Sequence, residues 1–402
     1  MSQSKEGRNI TTQLVHAGER QPPPRGLAVS TPIYATSTFT YETMAEVDRV
    51  FSGKDAGYVY TRYGNPTTGA LEEAMRVLEG GATACAYATG MAALHAALFA
   101  CELQPGSIVL ASQDLYGATT ELLYTVFGSF GVKTVTADFT RPAELRKKVL
   151  EVRPRVLLAE TISNPLLKVC DIDACAEVAR AAGARLLVDN TFASPYLCRP
   201  LEHGADMVVH SATKYLGGHA DVMGGLVVAR DGTDAATLVG VMKLVGGVLG
   251  VWEAHEVLRG LKTLAVRLDR QCSNARRLAE RLAAHPRVAR VHYPGLTPRP
   301  EAREVTRRML RAPHAGALVA IELAEDTFAA AFRFMDALDL CVRSTSLGDV
   351  FTGVLHPATA SHREVAPARR RQLGIADGLV RISVGIEDVE DLIADIEQAL
   401  GT

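Results

Sequence analysis

From about Asn65 the chain alternates short aliphatic runs with longer helical stretches, and this alternation limits the fold more than any other feature. The runs "ATACAYATG", "SIVLAS", "KTVTAD", "RVLLAE", "RLLVDN" and "DMVVHSA" are strand-length and apolar at successive positions. A strand apolar on both faces must be covered on both, which is the habit of parallel sheets flanked by helices. The intervening segments supply the cover. "TTGALEEAMRVLEGG" reads as an amphipathic helix stopped by Gly80 and Gly81, and "MAALHAALFACEL", "RPAELRKKVLEV" and "DACAEVARAAG" read as further helices. The expected fold is α/β with a mainly parallel central sheet, closed by "VVAR". Such sheets bind ligands at the carboxyl ends of their strands.

The flanks read differently. Residues 1–62 are turn-rich, and the prolines of "GERQPPPRGLAVSTPIYATSTF" exclude a long helix. We expect an extended arm there that packs on a neighbouring subunit. A large domain over 63–260 follows. The segment "WEAHEVLRGLKTLAVRLDRQCSNARRLAERLAAH" reads as one long helical stretch leading into a smaller C-terminal α+β domain over 261–402. That domain mixes the strands "VARVHY", "ALVAIEL" and "LVRISVG" with the helices "FAAAFRFMDAL" and "DVEDLIADIEQAL".

Composition removes several classes of function. The net charge of -2 over 402 residues offers no polybasic face for nucleic acid or anionic lipid. No apolar run approaches the roughly 18 residues of a spanning helix. "MSQSKEGRNITTQLVHAG" lacks the hydrophobic stretch of a secretory signal. The seven cysteines are scattered, odd in number and form no CxxC pair. That pattern suits neither a disulfide framework nor a metal site, and the expectation is a cytoplasmic protein without metal.

Four strand-end features fall on the ligand-binding edge. In "YATGMAA" a strand passes through Thr89 and Gly90 into a helix, whose free N–H groups suit a phosphate. Tyr116, in "DLYGAT", offers a flat ring beside a glycine. Asp189 closes the apolar run "RLLVDN" and could hold a cationic nitrogen. In "HSATKYLGGH", Ser211 and Thr213 bring hydroxyls and Lys214 an amine; a partly desolvated lysine becomes a nucleophile or proton carrier. A phosphate cradle, an acid for a ring nitrogen and an amine for an imine together describe a site for pyridoxal 5'-phosphate.

These motifs resemble those of the Cys/Met-metabolism family of pyridoxal-phosphate enzymes. "VHAG", "TPIYATSTF", "YTRYGNPT", "ATGMAA", "LYGAT", "SNP", "VDNTFASPYL", "HSATKYLGGH", "VHYPGL", "SLGDV" and "GLVRISVGIEDVEDL" stand in family order along nearly the whole chain. The resemblance implies the fold type I, aspartate-aminotransferase-like architecture of these transferases. It makes Lys214, Asp189 and Tyr116 the catalytic group: Lys214 forms the imine, Asp189 holds the pyridine nitrogen and Tyr116 stacks on the ring. Gly90, Met91, Ser211 and Thr213 would bind the phosphate, with Tyr60 and Arg62 reaching in from a neighbouring subunit. Arg381 would grip the substrate carboxylate, helped by Asn164 and Ser346. The implied partners are a small-molecule amino acid and other copies of the chain, as a homotetramer.

The family contains lyases that eliminate a γ-substituent and synthases that replace it. "SLGD" (Ser346–Asp349) reads closer to methionine γ-lyases and sulfhydrylases than to the "SLGG" plus glutamate of cystathionine enzymes, and Phe351 stands where that glutamate would fall. Ala118 stands where methionine γ-lyases commonly carry cysteine, and Leu244 follows Lys243 where they tend to carry aspartate. The expectation is a C–S lyase that performs α,γ-elimination on a sulfur amino acid. γ-Replacement on an O-acylhomoserine is the alternative.

Overall fold

The structure, a computed structural model, describes residues 26–401. The "VHAG" motif and the first part of the expected arm lie outside the described residues. From Ile33 onward the described chain forms one compact unit. Within 33–62 the chain is not wholly extended. It makes an eight-residue helix, Met44–Phe51, started by a reciprocal cap between Thr43 and Glu46.

The first sheet has seven strands: β1 (Thr83–Tyr87), β2 (Ile108–Ser112), β3 (Lys133–Ala137), β4 (Val156–Glu160), β5 (Arg185–Asp189), β6 (Met207–Ser211) and β7 (Gly225–Ala229). Their order is β1-β7-β6-β5-β4-β2-β3. The pairs from β3 through β6 are parallel. β7 runs antiparallel to both β6 and β1, because the glycine-containing loop 212–224 joins β6 to β7 without a crossover helix. Along β4, Leu157 enters the core on one face and Leu158 the core on the other. Burial on both faces is why these strands read as continuous aliphatic runs.

The helices follow the sequence signals. Pro66–Glu79 begins on the Asn65 side chain, which accepts the Thr67 N–H at 2.9 Å, and ends at Gly80 in the left-handed region. The stretch expected as one long helix is two, Val251–Leu261 and Leu264–Leu282. The break has a local cause. The Gly260 carbonyl accepts the Thr263 N–H and hydroxyl, each at 3.1 Å, and the Arg267 guanidinium at 2.9 Å, so it is drawn out of the helical ladder.

The second sheet packs its own core and contains β8 (Val288–His292), β9 (Leu318–Leu323), β10 (Val342–Arg343), β11 (Gly353–Leu355) and β12 (Leu379–Ser383), in the order β10-β11-β12-β9-β8. The sequence reading found β8, β9 and β12. It missed β10 and β11, which are too short to show a periodicity. Their value lies in the loop between them, which carries Ser346 and Leu347 back to the end of β6. Among the described residues no helix is long and apolar enough to cross a membrane, and no group of side chains is arranged for a metal ion.

Candidate active site

A cavity of about 500 Å³ opens at the carboxyl ends of the central strands. Five of the strands deliver residues to it: Thr89, Gly90 and Met91 after β1, Tyr116 after β2, Glu160 on β4, Asp189 on β5, and Ser211, Thr213 and Lys214 at and after β6. Arg381 enters from β12 of the second sheet. Of the expected residues, Gly90, Met91, Tyr116, Asn164, Asp189, Ser211, Thr213, Lys214 and Arg381 all line this one cavity.

The helix Gly90–Ala100 points its N-terminus into the cavity. Thr89 uses its hydroxyl on the Ala92 N–H at 3.0 Å and its carbonyl on the Ala93 N–H, which leaves the first amides, Gly90 and Met91, without an intrahelical partner. Position 90 has to be glycine. A Cβ there would lie 2.8 Å from the Ser211 Cβ and 3.1 Å from its Oγ. Two uncommitted amides beside two hydroxyls form a cradle for a phosphate.

Asp189 is anchored rather than free. Its Oδ1 accepts the Thr191 N–H at 2.9 Å and the Thr191 hydroxyl at 2.5 Å, and that hydroxyl accepts the Ser211 N–H at 2.8 Å. Burial raises the Asp189 carboxyl above its ordinary range, and the Thr191 bonds oppose the shift. The same side chain thus ties β5 to β6 at the point where the hydroxyls and the lysine emerge.

Lys214 donates from Nζ to the Ser346 Oγ at 2.9 Å. Burial, and then the nearby Arg381 charge, lower its amine below the ordinary lysine range. Arg381 gives Nη1 to the Asn164 Oδ1 at 3.0 Å and Nη2 to the Ser346 carbonyl at 3.1 Å, while its Nε is buried without a partner. Burial pulls this guanidinium down to about 10. Ser346 itself borders a neighbouring recess and joins the site through these two bonds. Gly348 allows the arrangement: at φ +84 its Cα faces the Lys214–Tyr215 backbone, where a Cβ would come within 2.7 Å of the Tyr215 nitrogen.

Two groups of expected residues do not reach the cavity. Tyr60 and Arg62 lie elsewhere on this chain, where Arg62 donates to the Lys243 carbonyl at 2.6 Å. Ala118, Leu244 and Phe351, the positions taken to read the leaving group, are not among its lining residues either. The walls that stand there instead include Thr119, Ile162, Phe192, Thr345, Leu347 and Ser361. The sequence reading missed these, and it also missed Glu160. The signal for Glu160 was available: like Asp189, it is an acid that closes an aliphatic run.

An acid, an amine, an arginine with a spare donor and an anion cradle in one cavity fit a phosphorylated pyridine aldehyde and the amino acid it would act on. Known proteins point the same way. The sequence profile described as Cys/Met metabolism PLP-dependent enzyme matches residues 11–401. L-methionine gamma-lyase of Pseudomonas putida is 43% identical over 97% of each chain. Cystathionine beta-lyase of Coxiella burnetii is 39% identical over 98% of each. The crystal structure of cystathionine gamma synthase from Xanthomonas oryzae pv. oryzae, in complex with aminoacrylate and cysteine, superposes with a TM-score of 0.86 at 39% identity over 93% of each chain. The fold is that of type I pyridoxal-phosphate enzymes, the cofactor is pyridoxal 5'-phosphate, and the chain belongs to the Cys/Met-metabolism family of enzymes that depend on it.

Proposed function

We propose that this enzyme is a C–S lyase that performs α,γ-elimination on a sulfur amino acid such as methionine, consuming water and giving 2-oxobutyrate, ammonia and a thiol. The observation that carries this reading is the convergence of Lys214, Asp189 and Arg381 on one cavity beside a bare helix N-terminus. The similarity to methionine γ-lyases at about 40% identity over the full length supports the choice of substrate class.

Pyridoxal phosphate, when bound, supplies an aldehyde for the amino group and a ring that accepts electron density from Cα. The chain's residues do the rest. Gly90, Met91, Ser211 and Thr213 hold the phosphate. Asp189 pairs with the ring nitrogen and Tyr116 stacks on the ring. Arg381, through its unpartnered Nε, takes the substrate carboxylate, with Asn164 and the Ser346 backbone fixing the guanidinium plane. Lys214, with its lowered proton affinity, removes the Cα proton and returns it further along the substrate. Tyr116, half-exposed at the cavity wall, moves a proton at the leaving group.

Because Tyr60 and Arg62 lie off this chain's own cavity, they serve the site of a neighbouring copy in a homotetramer built as a dimer of dimers. The exposed apolar side chains Phe51, Leu244, Val245 and Trp252 support such assembly. The arm over 1–62, the large domain over 63–260 and the C-terminal domain over 261–402 divide the work in this reading. The free, buried cysteines accord with a reducing cytoplasm.

A substrate panel tests the reaction. Methionine, homocysteine, cystathionine, cysteine and O-acetyl- and O-succinylhomoserine are each incubated with and without added thiol. The expected result is 2-oxobutyrate from methionine without any thiol. Product that forms from an acylhomoserine only when thiol is present would replace elimination by γ-replacement.

A further inference from the structure

Glu160 ends β4 directly beside Asp189, its register partner on β5, and borders the cavity, yet the mechanism above gives it no task. Its Oε1 accepts the backbone N–H of Tyr116 at 2.6 Å, a contact between residues 44 apart in sequence, and the Asn164 backbone lies close enough to the same carboxyl to favour its charged form. Tyr116 and Asn164 sit on different loops, one after β2 and one after β4. A second tie joins these loops: the Lys168 Nζ reaches both oxygens of the buried Asp114 at 2.9 and 3.0 Å. We propose that Glu160 is a positioning residue, whose carboxyl holds the Tyr116 turn and the Asn164 loop in register with the strand end that bears Asp189.

The chemistry favours this task over a direct one. Burial, and then the adjacent Asp189 carboxylate, push the Glu160 carboxyl well above the usual range, with Asp114 adding to the shift. Two neighbouring buried carboxyls do not both ionise readily. Asp189, which takes two bonds from Thr191, keeps the charge, and Glu160 keeps the proton. A neutral carboxyl still accepts an N–H through its carbonyl oxygen, and so does a primary amide of the same shape. Glutamine at 160 therefore reproduces the working form, whereas alanine removes it and leaves the Tyr116 N–H unpaired.

The proposal rests on the reading of Tyr116 as the ring-stacking residue, so the test includes that residue. Glu160→Gln, Glu160→Ala and Tyr116→Ala are compared for the dissociation constant of pyridoxal phosphate from apoprotein, for kcat and KM, and for melting temperature. Glu160→Gln is expected within about threefold of the parent in all constants. Glu160→Ala is expected to bind the cofactor about tenfold more weakly, lower kcat at least tenfold and raise KM, because the turn bearing the stacking ring loses its anchor and the neighbouring Asn164 loop loses its contact. If Glu160→Ala matches the parent while Tyr116→Ala loses cofactor affinity, the positioning role is wrong and the stacking role stands. If Tyr116→Ala binds the cofactor normally, the stacking role falls and takes the positioning role with it. A Glu160→Gln variant as impaired as Glu160→Ala would also overturn the proposal, by showing that a charged carboxylate is required. Should Glu160→Ala fail to fold, the Glu160→Gln constants still decide, because a required charge would remain visible there.

Discussion

Lys214→Ala yields a protein that no longer links its cofactor covalently. After borohydride reduction, the parent chain carries one pyridoxyl group on the peptide containing Lys214, and the variant carries none. Elimination falls by at least about 10³-fold, since the variant loses the group that moves the Cα proton. Folding survives, because the Nζ makes a single hydrogen bond, to Ser346, on the edge of a cavity. The melting temperature therefore separates loss of chemistry from loss of structure. Alanine has no amine to deprotonate, so the defect is not cured by raising the pH. A variant that still traps a full equivalent of reduced cofactor would remove Lys214 from its role.

Arg381→Ala produces the second large effect, and it appears mainly in KM. The guanidinium sits on β12, between β11 and β9, is wholly buried, and spends two nitrogens on Asn164 and Ser346. Its unpartnered Nε is a buried donor without an acceptor, a costly state that an incoming carboxylate relieves. Removing one partner of a buried, hydrogen-bonded charge pair costs about 3–4 kcal/mol, or roughly 10²–10³ in kcat/KM. Arg381→Lys keeps the charge but not the planar fork and falls between the two. Cofactor binding, measured by titration of apoprotein, stays within a few-fold of the parent. An unchanged KM for the amino acid would move the carboxylate grip to another residue.

The parts of the site that the sequence revealed are those made locally. The Gly90 helix start, the acid at the end of "RLLVDN" and the hydroxyls around Lys214 each lie within a few residues of a strand end. A strand followed by a turn fixes the direction in which such residues point. Glu160 shares that signal with Asp189, but its partner N–H is 44 residues away, so nothing in "RVLLAE" distinguished a structural acid from a surface one. The break at Lys262–Thr263 was invisible for a similar reason. It depends on the Gly260 carbonyl being claimed by Thr263 and Arg267, while the surrounding residues are good helix formers.

The sequence by itself determined the α/β alternation and the cofactor, and it singled out Lys214 between its two hydroxyls and the glycines. Hydrophobic period and strand-end chemistry are properties of short stretches, and they survive without knowledge of distant neighbours. Only the tertiary structure decided how Arg381 meets Asn164, 217 residues away, and how Ser346 reaches Lys214, 132 residues away. It also decided that Thr119, Ile162, Phe192, Thr345, Leu347 and Ser361 line this chain's cavity, whereas Ala118, Leu244 and Phe351 do not. Apart from Thr119, on the short helix Gly117–Glu121, those walls come from loops that carry no periodicity, and their meeting point is set by the packing of two sheets rather than by any local preference of the chain.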